Sequence, residues 1–214
     1  MLPLVVDLGR LRVVLVGNGE SALRRLRLLA EAGARTLALY ADTPSPALAA
    51  AAGSRLVRRL PLAQELAAAH LVFIADAPPR LRSALAETAR AGGALVHVED
   101  TPLLSDLHAP AILRRGDLTI AVSTGGRSPA LAAQVKRFLG RLFGPEWQER
   151  LDGLAKLRRD WRDGGADAPT VARRTDQWID GQGWLPVGDV TPTGSEMPAA
   201  EAARALQATF APTH

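Results

Sequence analysis

The sequence predicts an α/β protein whose N-terminal half is a parallel, doubly wound sheet. Three observations carry that prediction. Short continuous apolar runs recur and alternate with Leu/Ala-rich segments at helical spacing. The connections between them are short. The first run ends on Gly17-Asn18-Gly19, and a helical pattern begins at once. Such alternation places helices over both faces of a parallel sheet, and strands buried on both faces read as unbroken hydrophobic stretches.

The elements follow in order. Residues 11–16 (LRVVLV) form the first strand, and residues 20–32 carry leucines and alanines on one helical face, with Gly33 as a stop signal. A second strand spans 36–40 (TLALY), followed by a short helix at 46–52. Weak alternation at 55–60 predicts an edge strand, and a helix is expected at 62–69. Strands at 71–75 (LVFIA) and 94–98 (ALVHV) flank a helix at 79–91. The pattern then changes. A turn-rich loop covers 101–110, and strands at 111–115 and 118–123 suggest a separate, antiparallel element. Helices are expected at 130–143, 146–163 and 171–179, with 164–169 as a breaker. Residues 181–198 read as Gly/Pro/Thr-rich loop and 201–209 as a weak helix.

Composition narrows the class. The chain has 47% hydrophobic, 22% charged and 4% aromatic residues, so its core is built from Leu, Ala and Val. It has no cysteine, which excludes disulfides, thiolate metal sites and a thiol nucleophile and fits a reducing compartment. No apolar run is long enough to cross a bilayer, and the N-terminus lacks a basic leader region; a cytoplasmic protein with no membrane partner is expected. The formal charge of +4 comes almost wholly from arginine; it is weak evidence for nucleic acid and fits a small polyanionic ligand equally well, and no nucleic-acid partner is expected.

Gly17-x-Gly19-x-x-Ala22 sits between a predicted strand and a predicted helix, as a dinucleotide turn requires. The first glycine permits the tight turn, the second lets a pyrophosphate approach, and the small third residue lets strand and helix pack closely. The helix N-terminus then faces the anion, so Gly17, Asn18, Gly19, Glu20, Ser21 and Ala22 are candidate cofactor residues. Asp42, just past the second strand, is placed to bind a ribose diol and to repel a 2′-phosphate, which predicts NAD as cofactor. Asp76 and Asp100 both follow strands, at the edge where open sheets bind ligands. Asp76 joins the cofactor candidates, although Asp76-Ala-Pro-Pro is also a good turn and helix start. In His97-Val-Glu99-Asp100, alternation puts His97 and Glu99 on one face and leaves Asp100 at the strand end, the best-placed proton carrier.

The segment 123–132 (STGGRSPALA) is the most specific in the chain. Ser128 is a natural N-cap and Pro129 suits the first helical position. Thr124, Gly125, Gly126, Arg127 and Ser128 thus present amides, hydroxyls and a guanidinium at a helix start, with Arg114, Arg115, Lys136 and Arg137 nearby in sequence or along the following helix.

Taken together, these motifs resemble the precorrin-2 dehydrogenase family, the N-terminal module of siroheme synthases. The resemblance covers about residues 1–150: Leu2-Pro3 through Asp7-Leu8, the Val16–Ala22 turn with Arg25, His97-Val-Glu-Asp100-Thr-Pro102, and Ser123–Ala132. It implies NAD-dependent oxidation of precorrin-2 to sirohydrochlorin, in some members followed by ferrous-iron insertion. It implies Asp100 as general base, and Thr124–Ser128 with Arg114 and Arg115 as contacts for a tetrapyrrole rich in carboxylates. It also implies a homodimer. For metal handling, Asp100 and the loop residue His108 are candidates. The implied organisation is a Rossmann domain over 1–112, a small mixed dimerisation region over 113–145, and a helical tail over 146–214. The sequence departs from the family pattern in having Asn18 for a glycine, Arg25 for a lysine, Ala75-Asp76-Ala-Pro where a Thr followed by acids is usual, and Asp106 and His108 in a loop where many members have Ser or apolar residues. The competing reading is a non-catalytic or regulatory Rossmann protein that binds NAD or a tetrapyrrole.

Overall fold

The apolar runs become the strands of one parallel sheet because its two faces bury them in two cores. In a computed structural model that describes residues 2–185, β1 (Arg12–Val16), β2 (Thr36–Tyr40), β3 (Leu56–Val57), β4 (Leu71–Ile74) and β5 (Leu95–Val98) pair in the order β3-β2-β1-β4-β5, all parallel. Successive side chains of β1 enter opposite cores. Val13 and Leu15 pack with Leu23, Leu26 and Leu29 of α1 (Glu20–Glu31) and Leu48 of α2 (Pro46–Ala52). Val14 and Val16 pack with Leu66 of α3 (Ala63–Ala67) and Leu85, Ala86 and Ala89 of α4 (Pro79–Ala91). Each fully buried leucine contributes about 1.5–3 kcal/mol, so these two layers make the sheet a rigid platform. The strand order reverses between β1 and β4, and the crevice there is the ligand-binding place of such sheets.

The outer edge of β5 is not left open. Ser105 Oγ accepts from the Val98 amide and Asp106 Oδ2 from the Val96 amide, both at 3.0 Å. Arg90 of α4 binds the same Asp106 carboxylate. The loop of residues 101–110, including a short 3₁₀ turn at Pro102–Leu104, thus covers an otherwise unpaired strand.

Two more strands, β6 (Ala111–Arg115) and β7 (Leu118–Val122), make an antiparallel hairpin, and α5 (Pro129–Leu142) packs on it. Gly116, at φ +59°, turns the two-residue loop. These elements and the parallel sheet belong to one compact unit that ends at residue 145; the described residues from 146 on belong to a second. Within the second, α6 (Trp147–Asp163) pairs with α7 (Ala168–Gln182). Arg158 donates to the buried Thr175 hydroxyl at 2.9 Å, and the Arg150 guanidinium lies over the rings of Trp147 and Trp184.

Two elements differ from expectation. The edge strand is only Leu56–Val57, because Pro61 lacks an amide and residues 53–55 coil into a 3₁₀ turn. Helix α7 starts three residues before the expected 171, because the Asp167 carboxylate caps the Thr170 amide and Pro169 sits harmlessly in the first turn. It also runs through Gln182, beyond the expected 179, and takes in the first residues of the predicted loop. The rest of that loop from 186 and the helix expected at 201–209 lie outside the described residues.

Candidate functional site

The β1–α1 turn is sterically closed around Gly17. A Cβ there would run into the Ala75 carbonyl and come within 2.9 Å of the Ala22 Cβ. Only glycine fits, and only a small residue at Ala22 permits the approach. This is the packing that a dinucleotide turn needs.

Asn18 does more than fill a glycine position. Its Nδ2 donates to Asp42 Oδ1 at 2.8 Å, and its Oδ1 accepts from the Thr43 amide at 3.1 Å. The Asp42 carboxyl is held below its ordinary range, chiefly by the Asn18 hydrogen bond, with the Thr43 amide adding to it. Asp42 is therefore an exposed, fixed carboxylate beside the turn, as a ribose diol would require. The sequence placed both residues here but gave no sign that one orients the other.

Asp76 lies at the same turn, in an unexpected role. Its Oδ2 accepts from the Gly19 amide at 3.0 Å and the Ala22 amide at 2.9 Å. Gly19, the N-cap of α1, has no side chain to cap the helix, so Asp76 caps it from across the crevice. Asp76 adopts φ +52° to do so. The candidate cofactor residue thus occupies the helix-start amides itself. Glu20 is the acidic residue of the first turn, and Ser21 Oγ accepts from Arg24 at 2.9 Å.

A cavity of about 150 Å³ opens between this turn and the ends of β4 and β5, lined by Ser21, Asp76, Arg82, Glu99 and Asp100 among others. Asp100 is exposed and adopts φ +54°, a left-handed conformation that non-glycine residues rarely take. Strain of this kind clusters at functional sites. Arg82 was not foreseen. Its Nη1 donates to Thr101 Oγ1 at 2.7 Å and its Nε to the Ala77 carbonyl at 3.2 Å, which ties the β4 and β5 ends together. Its place in the first turn of α4, after Pro78-Pro79, was the only available signal.

Beneath the cavity, buried Arg25 of α1 donates to Glu99 Oε2 at 2.7 Å and faces His97 Nε2 at 3.0 Å, with its guanidinium over the Phe73 ring. His97 Nδ1 meets the Leu107 carbonyl at 3.0 Å. His97 and Glu99 share a face, as alternation predicts. The imidazole beside it and the Arg25 guanidinium hold the Glu99 carboxyl down to about 2. The residue before Asp100 is thereby anchored to the helix that starts the nucleotide turn.

The glycine loop is held by its own neighbours. Gly125 and Gly126 have φ +63° and +80°, which explains both glycines. Thr124 Oγ1 donates to the Ser128 carbonyl at 3.0 Å and accepts from the Ser128 amide at 3.1 Å. Ser128 Oγ caps the Leu131 amide. Arg127 is exposed. Arg114 and Arg115 are placed differently from the expectation of a free basic cluster. Arg114 donates to the Glu31 carbonyl at the end of α1, and Arg115 to the Phe143 and Gly140 carbonyls at the end of α5. Both guanidiniums satisfy helix-end carbonyls. Among the described residues no three histidine or carboxylate side chains group as a metal site would need, so neither Asp100 nor His108 belongs to such a group. No helix among the described residues is long and apolar enough to cross a membrane.

Comparison with known proteins matches this arrangement. A family model described as "Putative NAD(P)-binding" matches residues 4–111, and one described as "Sirohaem biosynthesis protein central" matches residues 115–142. A siroheme synthase of Pseudomonas fluorescens (strain Pf0-1) is 36% identical over 210 residues, covering 97% of this chain and 44% of that protein. Another, of Pseudomonas entomophila (strain L48), is 37% identical over 161 residues, covering 74% and 35%. The chain thus spans less than half the length of these curated relatives. A solved structure described as "SirC, precorrin-2 dehydrogenase" superposes with a TM-score of 0.68 at 21% identity, over 87% of this chain and 93% of that one, which shares the fold. The resemblance drawn from the motifs holds, and the chain belongs to the NAD(P)-binding family whose model covers its entire parallel sheet, followed here by the sirohaem-biosynthesis central segment.

Proposed function

We propose that this chain catalyses the NAD-dependent oxidation of precorrin-2 to sirohydrochlorin in siroheme biosynthesis. The observation that carries the proposal is the cavity at the β4 and β5 ends, where strained Asp100 stands beside the Gly17–Ala22 turn. The names of the siroheme-synthase relatives support the substrate. The closed packing of Gly17, Ala22 and Ala75 and the fixed Asp42 fit a dinucleotide.

The oxidation removes a hydride and a proton from the substrate. Bound NAD+ supplies the two-electron acceptor. Asp100 takes the proton, and its position is fixed from both sides, by Glu99 on Arg25 and by Thr101 on Arg82. Asp42 binds the ribose diol and disfavours a 2′-phosphate, which selects NAD over NADP. Exposed Arg127 and the amides of Thr124–Ser128 take substrate carboxylates.

The region 113–145 serves dimerisation. Leu131, Val135, Phe138 and Leu142 repeat at spacings of four, three and four along α5, and Leu131, Phe138 and Leu142 are more than half exposed. A second copy crossing on a two-fold axis would cover this self-complementary stripe. The cysteine-free composition fits a cytoplasmic setting.

The test is anaerobic incubation of the protein with precorrin-2 and either NAD+ or NADP+. Sirohydrochlorin and NADH appearing in equal amounts, faster with NAD+, is the expected result. Unchanged precorrin-2 with both dinucleotides would contradict the proposal.

A further inference from the structure

We propose that Asp76 is a built-in competitor for the dinucleotide's pyrophosphate, so that this chain binds its cofactor only after displacing its own carboxylate. The inference rests on the dinucleotide reading above and adds a residue that sets cofactor affinity.

Three observations converge on it. One carboxylate oxygen, Asp76 Oδ2, already accepts from two amides at the start of α1, Gly19 at 3.0 Å and Ala22 at 2.9 Å. These amides and the positive helix end are what a G-x-G-x-x-A turn offers a phosphate. The Asp76 backbone is held at φ +52°, so the chain adopts an unfavourable conformation to deliver the carboxylate. A Cβ at Gly19 would lie 3.1 Å from the Asp76 carboxyl carbon, so the space that the second glycine leaves open is the space this carboxylate uses.

Two anions do not share one set of donors. A pyrophosphate arriving at the turn meets a like charge and filled amides, and Asp76 has to leave. The cavity beside it, which Asp76 lines together with Arg82 and Asp100, is the open volume next to the displaced side chain. Cofactor binding therefore changes the wall of the same cavity that holds Asp100. The apparent affinity is the intrinsic affinity multiplied by the fraction of molecules in the uncapped state.

The test compares NAD+ binding by calorimetry, and thermal stability without ligand, in wild type, Asp76→Asn and Asp76→Gly. Both replacements tolerate the positive φ, whereas a β-branched residue would not. Asparagine keeps a weaker, uncharged acceptor; glycine removes the cap and relieves the backbone. The expected result is a lower melting temperature for both variants with tighter NAD+ binding, by about tenfold for the glycine variant and less for asparagine. Lower stability with equal or weaker NAD+ binding in both variants would make Asp76 a helix cap or a direct cofactor ligand. That result would overturn the competitor while leaving the dinucleotide reading intact. No NAD+ binding by any of the three proteins would overturn the dinucleotide reading, and the competitor with it.

Discussion

Two helix starts in this molecule offer donors to anions, and they are held in opposite ways. At α1 the donors are satisfied from far along the chain, by Asp76 at Gly19 and Ala22. Nearby, Asn18 fixes Asp42 and Arg25 fixes Glu99, again across long sequence separations. At α5 everything is local: Thr124 closes on Ser128, Ser123 on Gly125, and Ser128 on Leu131. The first region is assembled by the tertiary fold and exists only when the sheet does. The second is a self-contained loop whose charge, Arg127, faces outward. The α1 amides are thus already occupied by a carboxylate brought in by the fold, whereas the α5 loop closes on itself and leaves Arg127 exposed.

This contrast ranks the expected effects of substitution on stability. Gly17→Ala should be the most damaging, because the new methyl meets the Ala75 carbonyl and Ala22 in a closed corner. A loss of about 3 kcal/mol, read by chemical denaturation, together with lost NAD+ binding, is expected. An unchanged midpoint would show that the corner can open.

Arg25→Met should cost about 2 kcal/mol, since it leaves Glu99 half-buried without its cation. It also has a pH signature. Glu99 is held at about 2, below its ordinary 4.5, so its ionised form contributes stability above pH 4.5 and that stability is lost as pH falls toward 2. Urea midpoints of wild type should therefore decline over that window, and those of the variant should decline less. Parallel curves would mean that the network does not stabilise the fold through Glu99.

Ser128→Ala should have the smallest effect, about 1 kcal/mol for one lost N-cap. Its consequences should stay local. The KM for the tetrapyrrole rises while NAD+ affinity is unchanged, as steady-state kinetics and calorimetry would show. A parallel loss of NAD+ binding would join the two regions that the structure keeps apart.

The sequence made the platform legible because hydrophobic burial writes it into neighbouring residues. The runs at β1, β2 and β4 are apolar at every position facing either core, and the switch to helical spacing marks each crossover. Asp42, Asp100 and the two glycine turns were readable for the same reason, each being a local pattern at a strand end or helix start. The long-range partners were not. Nothing near Asp76 says that its carboxylate reaches back to Gly19, and nothing near Arg115 says that it meets the carbonyls of Gly140 and Phe143. An arginine after a strand reads as a ligand for anions until the fold supplies it with helix-end carbonyls. The same limit hid the Arg25–Glu99 pair, whose members belong to α1 and to the end of β5.

The most direct measurement is to split binding from turnover at Asp100. Asp100→Asn keeps the size and tolerates the left-handed backbone, so the fold and the nucleotide turn should be unaffected. The predicted result is NAD+ binding equal to wild type by calorimetry, with anaerobic formation of sirohydrochlorin slowed by about a hundredfold or more. Equal rates in the variant and in wild type would remove Asp100 from the chemistry and contradict the assignment of the cavity as the catalytic site.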